Sequence, residues 1–145
     1  NILIRNEDKV VKLGDMMLAK ALEGSQAKNI TAAGQLVGDV QYMSPERASG
    51  HTSIDGRSDI YGLGATVYTL ITGRPPFEGS TVVETIKKIT TEEPKKPREF
   101  QLATPGQFEG IVLKMLEKRP EDRFANASEL LKELEWVAKL NGVKC

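Results

Sequence analysis

An uncharged stretch from residue 60 to residue 73 predicts a buried helix near the middle of the chain. Ser58 is the predicted N-cap, Asp59 adds a negative charge at the positive end of the helix dipole, and Gly73 marks the end. The stretch is shorter than the roughly 20 residues that a membrane span needs. Its apolar positions leave no polar stripe, which predicts burial on all sides: Ile60, Leu63, Val67, Tyr68, Leu70 and Ile71.

Three later segments have the 3.6-residue period of amphipathic helices. The first begins at a Ser80 cap, the second at a capping box opened by Thr104, and the third at an Asn126 cap. Their apolar positions are Val82, Val83, Ile86 and Ile89 in the first, Phe108, Ile111, Val112, Met115 and Leu116 in the second, and Ala127, Leu130, Leu131, Leu134, Val137 and Ala138 in the third. We expect these helices to surround the central one.

The N-terminal part has a different pattern. Two short β-type runs, residues 2–4 and 10–13, are separated by five polar residues and predict a hairpin in which 2–4 pairs antiparallel with 11–13. Residues 14–57 lack a sustained period, and a stretch of that length in a compact domain favours a functional loop. The predicted fold is therefore a mainly α single domain over residues 1–145, with a small N-terminal β-hairpin and one long loop.

Composition narrows the possible functions. The 145 residues include 20 basic and 20 acidic side chains, so no electrostatic footprint indicates nucleic acid or contact with an anionic membrane. Cys145 is the only cysteine, which excludes an internal disulfide and suits a reducing compartment. The chain opens directly on a strand-like run, which leads us to expect a piece of a longer protein.

The hairpin suggests a metal site. Antiparallel pairing of 2–4 with 11–13 brings Asn1 and Asp15 to the same end of the hairpin. Amide and carboxylate oxygens are the ligands that Mg²⁺ prefers, with phosphate oxygens and water completing the shell. Considered alone, an Asn and an Asp at such positions are more commonly turn or cap residues.

Several spaced motifs, read together, resemble one family. They are Asn1-Ile2-Leu3-Ile4, Lys12-Leu13-Gly14-Asp15-Met16-Met17-Leu18-Ala19-Lys20, Tyr42-Met43-Ser44-Pro45-Glu46, Asp59-Ile60-Tyr61-Gly62-Leu63-Gly64, Gly73-Arg74-Pro75-Pro76-Phe77 and Arg119-Pro120-Glu121-Asp122-Arg123-Phe124. In this order they resemble the C-terminal lobe of a Ser/Thr protein kinase of the bacterial type. The resemblance implies a kinase C-lobe-like helical domain with an activation-type loop, and phosphoryl transfer from Mg-ATP to hydroxyls of a protein substrate.

The resemblance also assigns roles to individual residues. Asn1 and Asp15 become the Mg²⁺ ligands that hold the phosphates of ATP. Glu46 and Arg123 become an ion pair that ties the activation segment to the helical body. Asp59 becomes an acceptor for backbone N–H groups of the catalytic loop, a role that needs burial.

The same resemblance places substrate contacts and regulation in the long loop. The wall that receives the residue after the phosphoacceptor comprises Gly38, Asp39, Val40, Tyr42, Met43 and Ser44. Thr31 is the first candidate for regulatory phosphorylation and Ser25 the second, because added negative charge could order the loop through a basic partner. A plain loop hydroxyl is the alternative for both.

Two residues that depart from the family pattern lie in or near the predicted metal-binding and substrate-binding residues. Met17 replaces a glycine, and Asp39 replaces a threonine that donates to the catalytic Asp, which an ionised carboxylate cannot do. These changes favour an alternative function, a pseudokinase-like scaffold or interaction domain.

The glycine-rich lid, the Lys–Glu pair and the general-base Asp belong upstream of Asn1 in the family. We therefore expect no catalytic residue within this chain, an inactive isolated chain, and a missing N-terminal lobe as its partner. A cytoplasmic location, or the cytoplasmic side of a membrane-anchored parent protein, is expected because ATP is there.

Overall fold

The computed structural model describes residues 2–14 and 40–143. The chain divides into two compact units, Asn1–Gly38 and Asp39–Cys145, which are described separately below. Within the described residues the structure is mainly α with one small antiparallel sheet, as the sequence predicts. The activation-type loop and the single domain stay predictions, because residues 15–39, which make up most of the predicted loop, lie outside the described ranges.

The first unit contains the predicted hairpin. Strand β1 (Ile2–Ile4) pairs antiparallel with β2 (Val11–Leu13), with Ile2 opposite Leu13 and Ile4 opposite Val11. The turn between them is closed by the Arg5 N–H, which donates to the Val10 carbonyl at 3.0 Å. The Asp8 carboxylate accepts the Val10 N–H at 3.2 Å. This confirms both the hairpin and its predicted register.

The part of the second unit that the structure describes, residues 40–143, contains five α-helices. They are α1 (Pro45–Ala48), α2 (Arg57–Thr72), α3 (Val82–Thr91), α4 (Gly106–Met115) and α5 (Ala127–Leu140). One short 3₁₀ turn, Val40–Tyr42, precedes α1, and two others, Pro97–Glu99 and Pro120–Asp122, lie between later helices. The predicted central helix and the three amphipathic helices that follow it are thus all present.

Helix α2 lies at the centre of the core of this unit. One buried cluster joins α2 to the end of α4: Tyr61, Ala65, Tyr68, Val112 and Leu116. A second joins α2 to α4, α5 and the segment between them: Ile60, Ile111, Met115, Phe124, Leu130 and Val137. Gly64 permits the close approach of α2 and α4, because a Cβ atom there would lie 2.7 Å from the Met115 Cβ.

The prediction that α2 is buried on all sides is wrong. Leu63 is 40% exposed and Leu70 is 79% exposed, and with the exposed Asp59 they follow helical spacing along one face. An apolar sequence therefore did not decide which face is buried. The end of the helix is as predicted, since Gly73 adopts a left-handed φ of 73°.

The predicted start of α2 is also wrong. Gly56 precedes the first helical residue, Arg57, and the Asp55 carboxylate accepts the Arg57 N–H at 2.9 Å. Ser58 lies inside the first turn and is buried, so its hydroxyl is available for a tertiary contact instead of a cap. That contact is part of the site described below.

The caps of the later helices agree with the sequence in one case of three. The Asn126 side chain accepts the Glu129 N–H at 2.9 Å and caps α5 as predicted. At α3 the cap is Thr81, one residue beyond the predicted Ser80, and it accepts the Glu84 N–H at 3.1 Å. At α4 no side chain caps the helix: Pro105 holds the N-cap position, and the predicted cap Thr104 lies buried one residue earlier.

Candidate functional site

Glu46 and Arg123 meet in the interior of the helical unit although 77 positions separate them in the chain. Glu46 lies in the short helix α1, where Pro45 at the first helical position sets the backbone direction. Arg123 follows the 3₁₀ turn Pro120–Asp122 and extends its side chain back into the core. Their side chains are 6% and 0% exposed, respectively, so the pair is removed from solvent.

Every N–H group of the Arg123 guanidinium has an acceptor. Nη1 and Nη2 donate to the two carboxylate oxygens of Glu46 at 2.9 and 2.8 Å. The other donations go to backbone carbonyls: Nη1 to Arg57 at 3.0 Å, Nη2 to Lys118 at 3.0 Å and Nε to Glu117 at 2.8 Å. A buried guanidinium with all of its donors paired avoids the large cost of an uncompensated charge.

The carboxylate of Glu46 is stabilised in its ionised form. Burial alone would raise the pKa of Glu46, but hydrogen bonds from Arg123 and from the Ser58 hydroxyl outweigh burial and lower the pKa to about 2. Glu46 is therefore fully charged at neutral pH. The arrangement holds α1 against α2 and against the segment that follows α4.

Two buried hydroxyls adjoin this region without a partner among the described residues. The ring of Tyr61 lies 5.0 Å from the Arg123 guanidinium carbon, measured to the ring centroid. Burial raises the pKa of the Tyr61 hydroxyl well above its usual range. Neither this hydroxyl nor that of Ser44 makes a hydrogen bond within residues 2–14 and 40–143.

The described part of the predicted substrate wall is residues 40–44, which we call the 40–44 segment. Its 3₁₀ turn closes with the Met43 N–H donating to the Val40 carbonyl at 3.1 Å. Val40, Tyr42 and Met43 are partly exposed, whereas Ser44 is 1% exposed and its side chain faces the interior. The segment therefore presents a surface upstream of Ser44.

Helix α3 packs against this segment and against α1. Glu78 lies between α2 and α3 in the chain and contacts both the 40–44 segment and α3. Its carboxylate accepts from the Gln41 side-chain amide at 3.4 Å, and its carbonyl accepts from the Lys88 ammonium at 2.9 Å. The position of α3 and that of the 40–44 segment are thus connected by direct contacts.

A second, partly buried cation contacts the last turn of α3. The Lys118 ammonium donates to the Ile89 carbonyl in the last turn of α3 at 2.8 Å and lies 3.9 Å from the centroid of the Phe77 ring. Burial lowers the pKa of Lys118 to about 8 against the opposing effect of nearby acidic groups, Glu93, Glu117 and Glu92.

The other predicted site residues are placed as follows. Asp59 is exposed in the first turn of α2, and within the described residues it makes no hydrogen bond through its side chain. The remaining residues lie outside the described ranges: Asn1, Asp15, Ser25, Thr31, Gly38 and Asp39. Within residues 2–14 and 40–143 there is no group of three or more His, Cys, Asp or Glu side chains that could hold a metal ion.

Sequence reasoning missed two polar residues that the fold uses. Ser58 donates to Glu46 but was predicted as a cap, because Ser before an apolar run is a common N-terminal signal. Lys118 sits in a run of charged residues, 117–119, that has the pattern of a solvated loop. The only available signal was its position directly after the apolar stripe that ends at Leu116.

Comparison with known proteins identifies the class. Residues 1–137 match the family described as the protein kinase domain, so the chain belongs to the protein kinase family. The serine/threonine-protein kinase PknB of Mycolicibacterium smegmatis is 35% identical over 134 residues, which cover 92% of this chain and 21% of that protein. The Mycobacterium tuberculosis protein of the same name is 36% identical over 137 residues, 94% of this chain and 21% of that protein.

A probable serine/threonine-protein kinase of Clostridium acetobutylicum is 35% identical over 137 residues, covering 94% of this chain and 20% of that protein. The resemblance to bacterial Ser/Thr kinases read from the sequence motifs agrees with these relatives. The chain spans about a fifth of the length of the curated relatives that it matches.

No helix within the described ranges has both the length and the apolar character required to cross a membrane.

Proposed function

We propose that the chain is the C-terminal lobe of a Ser/Thr protein kinase domain whose complete form transfers a phosphoryl group from Mg-ATP to hydroxyls of a protein substrate. The buried pair of Glu46 and Arg123 carries this proposal. It anchors α1, directly after the 40–44 segment, to the helical body, and such an anchor is useful where a substrate must be held against a fixed surface. The family match and the kinase relatives support the same class of reaction.

In this proposal the metal is held at the hairpin end. The donor set of Asn1 and Asp15 suits Mg²⁺, since both supply hard oxygen ligands. Ile2, which follows Asn1, pairs with Leu13, two residues before Asp15, and this pairing supports the use of Asn1 and Asp15 as a pair. Bound Mg²⁺ supplies charge neutralisation on the phosphates of ATP. The chain's own part is to hold the two ligands at one strand end.

The protein substrate is proposed to lie along the wall formed by Gly38, Asp39, Val40, Tyr42 and Met43, with Ser44 as its buried end. The partial exposure of the 40–44 segment upstream of Ser44 supports this surface. Thr31, and after it Ser25, are the proposed regulatory phosphorylation sites in the preceding loop. A cytoplasmic location follows in this proposal from the need for ATP.

The exposed face of α2 suits the N-terminal lobe and catalytic loop that the family places upstream. Leu63 and Leu70 offer apolar area, and Asp59 offers a carboxylate for backbone N–H groups, all on one helical face. Covering this face would give Asp59 the buried environment that its predicted role needs. We propose that the general-base Asp and the glycine-rich lid belong to those upstream residues.

Nucleotide binding tests the metal ligands. In a kinase domain that contains this chain, Asp15→Asn should weaken Mg²⁺-dependent ATP binding about 100-fold, whereas Asp55→Asn, an exposed acid on a loop of the helical unit, should leave it unchanged. Equal binding by the Asp15→Asn variant and the unchanged domain would overturn the assignment of Asp15.

The isolated chain provides a separate test. The 145-residue chain incubated with labelled Mg-ATP and a hydroxyl-bearing protein acceptor should transfer no phosphate above the level of a blank without protein. Transfer by the purified chain would refute the proposal that the catalytic base lies upstream.

The second candidate is a pseudokinase-like scaffold, which Asp39 and Met17 favour. Asp39 puts a negative charge where a hydroxyl donor would contact the catalytic Asp, and two carboxylates close together repel one another. Turnover by the complete domain separates the candidates, and Asp39→Thr should raise kcat if the domain is an active enzyme limited by this carboxylate. A domain that binds ATP without turnover, before and after this substitution, would be a scaffold.

A further inference from the structure

The side chain of Lys118 is a half-buried cation with no part in the Glu46–Arg123 pair, although the backbone carbonyl of Lys118 accepts from Arg123. Its ammonium donates to the Ile89 carbonyl at 2.8 Å and lies 3.9 Å from the Phe77 ring centroid. Among the residues that the structure describes, it forms no salt bridge with a carboxylate. A partly buried ammonium loses hydration, and here its contacts with the Ile89 carbonyl and the Phe77 ring take the place of that hydration.

The Ile89 carbonyl lies in the last turn of α3, where carbonyl groups lack partners within the helix. A lysine at this end supplies the missing donor and a charge of the sign that the helix dipole favours. Phe77 is 4% exposed and belongs to the segment that leaves α2. One ammonium thus joins the end of α3 to the segment that precedes it.

Residues between Phe77 and Ile89 contact the 40–44 segment. Glu78 follows Phe77 and receives the Gln41 side-chain amide at 3.4 Å. The carbonyl of the same residue receives Lys88, which precedes Ile89 in α3, at 2.9 Å. Helix α3 itself packs against the 3₁₀ turn Val40–Tyr42. The chain of contacts from Lys118 to the segment is therefore continuous.

We propose that Lys118 is a positioning residue for the 40–44 segment: by fixing Phe77 and the end of α3 together, it holds the surface on which that segment rests. This inference rests on the proposed function only in taking the 40–44 segment to be a surface that binds the protein substrate. The mechanical part, that Lys118 restrains the segment, is independent of any catalysis.

Hydrogen exchange measured by mass spectrometry on the 145-residue chain tests that part. Lys118→Met keeps an apolar stem against Phe77 and removes the donor to Ile89. We expect amides at the end of α3 and in the 40–44 segment to exchange about tenfold faster, while amides of α5 keep their protection. Lys132→Met, which removes an exposed lysine from α5, is the matched control and should change neither region.

Lys118→Arg separates positioning from simple packing, because it restores a charged donor within reach of the same carbonyl. It should return exchange in the 40–44 segment to within about threefold of the unchanged chain. Unchanged exchange of the segment in Lys118→Met, or equal acceleration in the Met and Arg variants, would overturn the proposal.

If Lys118→Met unfolds the whole unit, amides of α5 will lose protection as well. Hydrogen exchange of the Phe77→Leu variant then tests the proposal. That variant removes the aromatic face and keeps the donor to Ile89, so we expect a smaller acceleration, about threefold, in the same two regions. Acceleration spread evenly over the unit would refute a specific restraint.

Kinetics of the complete domain test the link to substrate. There Lys118→Met should raise KM for a protein substrate several-fold and leave kcat and KM for ATP unchanged. A domain with no kinase activity would refute the proposed function but leave the exchange result standing. An active domain with normal exchange in Lys118→Met would refute this inference alone.

Discussion

Arg123, which is buried, and Lys118, which is partly buried, are two cations of the same helical unit that are compensated in different ways. Arg123 uses all of its donors and faces the carboxylate of Glu46. Lys118 has one backbone carbonyl and an aromatic ring. The carboxylate of Glu46 is stabilised, with a pKa of about 2, whereas burial lowers the pKa of Lys118 to about 8. The paired charge of Arg123 thus stabilises the fold, whereas the less compensated charge of Lys118 positions the 40–44 segment.

Removing Arg123 tests the stronger half of this comparison. Arg123→Met should lower the free energy of unfolding by about 3–5 kcal/mol, because it strands the buried Glu46 carboxylate and several carbonyls. Arg119→Met provides a control, since Arg119 is 71% exposed and its loss should cost less than about 0.5 kcal/mol. Urea denaturation of both variants measures the difference. Similar small losses in both would contradict a structural role for the buried pair.

Lowering the pH should weaken the Glu46–Arg123 pair in the unmutated chain, because it protonates Glu46. The pKa of Glu46 is about 2 in the folded chain and near 4.5 when unfolded, so its contribution is complete above pH 4.5 and disappears as pH falls toward 2. We expect a loss of about 2–3 kcal/mol over this window. Denaturation at several pH values compares the unchanged chain with Glu46→Gln, in which this part of the pH dependence should be absent.

Ser58 makes a smaller contribution to the pair. Ser58→Ala removes the hydroxyl that donates to Glu46 and should cost about 1–2 kcal/mol, since hydrogen bonds to charged groups are stronger than average. Ser53→Ala alters an exposed loop hydroxyl nearby and should be neutral within about 0.5 kcal/mol. An equal effect of the two substitutions in thermal unfolding would show that the Ser58 contact adds nothing.

Raising the pH should stabilise the folded chain through Lys118, because burial disfavours the charged form of this side chain. Its pKa is lowered from 10.5 to about 8, so between these values the unfolded chain holds the proton and the folded chain does not. Stability should therefore rise with pH across this window, by about 1 kcal/mol because the group is partly solvated. Lys118→Met should abolish the rise, and a fall with pH specific to Lys118 would contradict the assigned direction.

Much of the local structure was predictable from the sequence. Turn residues and two β-type runs predicted the hairpin and its register, and Gly73 and Asn126 predicted a helix end and a helix start. The N-terminal caps of α2, α3 and α4 were not predicted, because several adjacent residues could act as caps and packing selects among them. The pairing of Glu46 with Arg123 was expected only through the family resemblance, since no local period links such distant positions.

The sequence by itself determined where helices and strands form, because periodicity, turn residues and helix ends act over a few neighbouring positions. Tertiary structure alone decided which face of α2 is buried, since its residues are apolar all round and only contact with α4 and α5 distinguishes Tyr61 from Leu70. It also decided the roles of Ser58 and Lys118, because a polar side chain finds its partner only when distant segments meet.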